Sequence, residues 1–78
     1  MEEAIKELTL LLIYLTSWKE EAGTAKILRS WKGYPFETLD QLIEENYLYG
    51  SWRAKSVYLT EAGIAKAEEL EAKYIKNN

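Results

Sequence analysis

The sequence predicts a small α+β domain, with helices packed around one β-hairpin. Three stretches carry that prediction. Residues 47–50 and 55–59 are strand-sized runs on either side of a loop opened by Gly50-Ser51. In the second run Val57 and Leu59 alternate with Ser56 and Tyr58, the period-two pattern of a strand with one buried face. Upstream, Ile5, Leu8, Leu12 and Leu15 recur at helical spacing, as do Phe36, Leu39, Leu42 and Ile43. The expected order is a helix over 2–18, a short strand over 25–29, a helix over 35–46, the hairpin, and a helix over 60–76, all in one domain spanning 1–78.

In the first helix Leu10, Leu11, Ile13 and Tyr14 fill much of the circumference that Ile5, Leu8, Leu12 and Leu15 leave, so its middle turns are apolar nearly all round. Such a helix has to be covered on more than one side. Either its own chain encloses it, or it also faces a second subunit. On the second reading Leu10, Ile13 and Tyr14, with Tyr74 of the last helix, form the surface of a homodimer. Changing Leu10 and Ile13 to Lys is then expected to give a folded monomer.

Residues 19–34 lie between two breaks, Gly23-Thr24 and the run Trp31-Lys32-Gly33-Tyr34-Pro35. Between them residues 25–29 read as a short strand or as one helical turn. The extended reading is preferred, because so short a run makes no stable helix by itself. Pro35 suits the first position of a new helix. Glu37, Asp40, Gln41, Glu44 and Glu45 mark the outer face of that helix, and Asn46 is its left-handed stop. Thr60 is a favoured N-cap for the last helix, and Glu61 suits its positive end. Ile64, Ala67, Leu70 and Tyr74 form the apolar stripe there, and Glu69 and Lys73 an outer i,i+4 pair. Gly63 is costly in a first turn, and a close approach to the hairpin or the first helix would explain it.

Composition narrows the chemistry. The 78 residues are 47% hydrophobic and 29% charged, which describes a globular chain near the lower size limit for a self-sufficient core. There is no Cys, so neither disulfides nor thiolate metal sites are expected, and a cytoplasmic location is the default. There is no His, which removes the commonest general base and metal ligand. Glu2 and Glu3 stand where a signal peptide needs positive charge, and the longest apolar run is too short to span a bilayer. No phosphate-binding glycine fingerprint is present. Neither an enzyme, a cofactor nor a membrane partner is expected.

Two segments, LDQLIEENYL (39–48) and SVYLTEAGIAKAEEL (56–70), resemble the wing and C-terminal helix of small bacterial winged-helix regulators of the MarR and PadR types. With LLIYLTSWK (11–19), SWKGYPFETLDQLIEENYL (30–48) and AKSVYLTEAG (54–63), the chain also looks like an uncharacterised bacterial family of small proteins of unknown function. The first resemblance implies a winged-helix-like domain in which the helix at 36–46 holds the position of a DNA-recognition helix. Its outward acids would repel phosphates, so docking of this helix in a major groove is disfavoured. Positive charge lies instead at Lys26, Arg29 and Lys32, and at Arg53 and Lys55 in the hairpin loop, with Trp31 and Trp52 among them. Those residues read in three ways: as structural packing, as a protein interface, or as a nucleic-acid surface. The resulting expectation is a non-catalytic, self-associating interaction or regulatory module. The alternative is a double-stranded-DNA regulator that uses the hairpin and residues 26–32.

Overall fold

The computed structural model of the chain describes residues 1–22, 25–31, 33–50 and 56–76. The order of elements is α1 (Glu2–Leu15), β1 (Trp18–Ala22), β2 (Ala25–Trp31), α2 (Phe36–Glu44), β3 (Leu48–Tyr49), β4 (Ser56–Leu59) and α3 (Glu61–Glu71), which continues into a π-helical turn, Ala72–Lys76. The strands form one antiparallel sheet in the order β1-β2-β4-β3. The α+β class and the order of the expected elements are therefore observed.

The first helix stops at Leu15 instead of reaching residue 18. Thr16 Oγ1 donates to the Leu12 carbonyl (2.7 Å) and Ser17 Oγ to the Tyr14 carbonyl (2.6 Å). The same carbonyls accept the Thr16 N–H (2.9 Å) and the Ser17 N–H (3.2 Å), so the hydroxyls add to a tightened last turn, and the chain leaves the helix there. Trp18 then begins β1, which the sequence did not announce. The register sets Trp18 opposite Arg29 and Ala22 opposite Ala25. The strand expected over 25–29 is present as β2 and runs on to Trp31.

The hairpin β1–β2 occupies the chain between α1 and α2. The described residues thus place a pair of strands where a helix-turn-helix has its first helix. β4 lies between β3 and β2, with Ser30 opposite Val57.

The junction into α3 is held by short polar contacts. Asn46 has φ 65°, the left-handed conformation expected of a helix stop. Thr60 Oγ1 accepts the Gly63 N–H (2.8 Å), capping α3, and its hydroxyl donates to the Asn46 carbonyl (2.6 Å), tying the start of α3 to the end of α2. Gly63 lies against the backbone of Tyr47. A Cβ at that position would stand 1.9 Å from the Tyr47 carbonyl oxygen.

The core lies between the inner face of the sheet and the three helices. Leu10, Leu11 and Ile13 of α1 meet Leu39 and Leu42 of α2, Leu48, Val57 and Leu59 of the sheet, and Ala67 and Leu70 of α3. Among the described residues no helix is long and apolar enough to cross a membrane.

Candidate interaction surfaces

The faces of α1 are exchanged relative to the dimer surface expected from the sequence. Leu10 is 1% exposed and Ile13 0%, and Tyr14 packs half-buried against the same core. These residues are interior. Ile5, Leu8, Leu12 and Leu15 are 45%, 43%, 48% and 45% exposed and form a ridge along the opposite side, with Met1 at its N-terminal end. Both faces are apolar, and periodicity alone does not rank them. What decides is the sheet and α3, which need the pair spaced at 10 and 13 together with Leu11 to close the core. The ridge has the 3-4-3 spacing (5, 8, 12, 15) of a two-helix seam, and that spacing is the signal that singles it out. A recess of about 270 Å³ adjoins its N-terminal end, lined by Glu2, Ile5, Pro35, Glu37, Thr38 and Gln41.

The outer face of the sheet carries a second surface. The register aligns Tyr49, Tyr58, Arg29 and Trp18 in one row across all four strands. The Tyr49 and Tyr58 rings stack at 5.1 Å, and the Arg29 guanidinium carbon lies 5.3 Å from the centre of the Tyr58 ring. Arg29 Nε also donates to Ser56 Oγ (2.6 Å). Trp31 sits one step along the same face, 5.3 Å from Trp18 at 50° between ring planes, and is 62% exposed. Stacked rings and a cation over a ring stabilise adjacent strands by cross-strand contact. The row covers a sheet face that has no helix over it among the described residues.

Of the residues singled out in the sequence, this face brings Arg29 and Trp31 together. Lys26 occupies a β2 position opposite Glu21. Lys32, Trp52, Arg53 and Lys55 lie outside the described residues. Trp18, Tyr49 and Tyr58 complete the row and were not anticipated. Trp18 was assigned to a helix, and the rule that pairs Tyr49 with Tyr58 operates only once the strand register is known. As expected, α2 turns Glu37, Asp40, Gln41, Glu44 and Glu45 outward.

Tyr74 is tied to its own chain. Its hydroxyl donates to Glu7 Oε1 (2.7 Å), and Lys73 Nζ reaches the same oxygen at 3.1 Å. Lys73 thus turns to Glu7 and not to Glu69, whose partner is Lys66 at 3.5 Å. The Tyr74 hydroxyl, and then Lys73, hold the Glu7 carboxyl below the usual glutamate range. The same bond raises the Tyr74 phenol above its usual range, with burial adding to it. The signs bound a pH window. The carboxylate's contribution is full above the ordinary glutamate value of roughly 4.3 and is lost as pH falls through the lowered one. The phenol's is full below roughly 10 and is lost as pH rises through the raised one. Tyr74→Phe is expected to return the Glu7 pKa toward the ordinary range, as read from its carboxyl carbon by NMR titration. An unchanged value would show that the bond does not hold in solution. Beside Glu7 in sequence, Lys6 joins Glu45 at the C-terminal end of α2 and lies 3.3 Å from Glu3.

A family model described as "Domain of unknown function (DUF6429)" matches residues 1–77. No curated protein and no solved structure matches the chain.

Proposed function

Because the chain belongs to the DUF6429 family, whose description names no activity, we propose from its surface that it is a non-catalytic interaction module that self-associates through α1. One observation carries this reading: a ridge of four apolar side chains, each 43–48% exposed, on a helix whose other face already builds the core. With Met1 the ridge exposes on the order of 500 Å², toward the upper end of the largest apolar patch on a typical monomer, which is often functional. That is more than half of the roughly 800 Å² per partner in a standard interface. A second copy supplies a partner of matching length and spacing.

Light scattering tests the reading. The chain is 9.1 kDa, and a species of twice that mass is expected at micromolar concentration. The double variant Leu8→Glu, Leu12→Glu is expected to keep the helical circular dichroism of the parent and to run as a monomer, because exposed sites tolerate such changes. A parent protein that stays at 9.1 kDa at high micromolar concentration would sink the proposal.

The alternative, a double-stranded-DNA regulator, draws on Arg29 and Trp31 sharing the open sheet face. The acidic outer face of α2 weighs against it. Salt-sensitive retention of a mixed-sequence duplex would favour it over self-association alone.

A further inference from the structure

We propose that the two copies pair their first helices antiparallel, about a two-fold axis at the level of Leu10, so that Ile5 meets Leu15 of the second copy and Leu8 meets its Leu12. This rests on the self-association reading and adds the geometry of the pair. Three observations carry it.

The ridge reads the same in both directions, with intervals of three, four and three residues, so an antiparallel copy meshes with it layer by layer. The ends of the ridge differ in charge. Glu2 and Glu3 stand at the N-terminal end, and Glu37 lines the recess there with Ile5. The last turn of α1 has no acid. A parallel pair would crowd both sets of carboxylates at one end. An antiparallel pair sets them apart by the length of α1, about 20 Å, well beyond the Debye length of about 8 Å at physiological salt. It also opposes the two helix dipoles. Finally, the recess beside Ile5 lies at one end only. In the antiparallel pair it faces the C-terminal turn of the partner's α1, whereas in a parallel pair the two recesses face each other.

The chain has no cysteine, so single introduced thiols report the pairing directly. Ile5→Cys and Leu15→Cys are oxidised separately and as an equimolar mixture, with the molar mass of each variant measured beforehand. The mixture is expected to yield a disulfide-linked heterodimer, and each variant alone little or none. Efficient linking of each variant with itself would overturn the antiparallel arrangement and leave self-association standing. A monomeric mass for the unmodified protein would overturn both. As a second measurement, a spin label at Glu3→Cys, off the ridge, is expected to lie about 20 Å or more from its counterpart. A separation near 10 Å would indicate parallel helices. One beyond about 40 Å, longer than α1 allows for either arrangement, would place the contact elsewhere and overturn the proposal.

Discussion

Ile13→Lys is expected to unfold the protein, and Leu10→Lys to do the same. Ile13 is fully buried among Leu42, Val57 and Leu70, with no carboxylate in that cluster to receive an ammonium group. Burying the charge unpaired costs several kcal/mol. Loss of the isoleucine adds about 1.5–3 kcal/mol. The sum approaches or exceeds the whole stability of a small domain, commonly about 5 kcal/mol at the lower end. Far-UV circular dichroism and a urea melt are sufficient readouts. Leu12→Lys, on the exposed ridge, is expected to shift the midpoint little in the same assay. A cooperative, near-parental melt for Ile13→Lys would mean that the two faces of α1 are assigned the wrong way round.

Gly63→Ala is the second change with a large expected effect, and its sign opposes helix propensity. In an exposed helix interior the substitution gains up to about 1 kcal/mol. Here the added methyl would stand 1.9 Å from the Tyr47 carbonyl oxygen and 2.8 Å from its carbonyl carbon, and neither is the end of a flexible side chain. Tyr47 cannot retreat freely, since its N–H bonds the Leu42 carbonyl (2.9 Å) and its carbonyl accepts from the Thr60 N–H (3.1 Å). Relieving the clash therefore moves the end of α2 and the cap of α3 together. A loss of about 3 kcal/mol is expected. In a domain of this size that lowers the melting temperature by about 15 °C. A melting temperature equal to or above that of the parent would show that the two segments are not in contact.

Much of this fold was legible from local chemistry. Thr60 as a cap, Asn46 as a left-handed stop and the acidic outer face of α2 depend on neighbours within a few residues, and the structure has all three. Gly63 was legible as an anomaly, although the residue it approaches was not. The strand β1 was not legible, because Thr16 and Ser17 end α1 through contacts with their own backbone that an apolar pattern does not register. The orientation of α1 was undecidable for a related reason. Leucines at 8, 10, 11, 12 and 15 satisfy two inward faces equally, and only packing against Val57 and Leu70 selects one. The outer row of the sheet joins residues from 18 to 58 and exists only once four strands are in register.

The pairing of the first helix with the last also shapes how the chain folds as it is made. Leu10 and Ile13 close on Ala67 and Leu70, and Glu7 is bound by Lys73 and Tyr74. Synthesis delivers α1 first and its main helical cover last. Until α3 docks, the part of α1 that meets Ala67 and Leu70 is open as well as the ridge. The closing contacts are among the most distant in sequence, which slows folding relative to a bundle of neighbouring helices. The core is therefore expected to close late in folding, when α3 returns to α1.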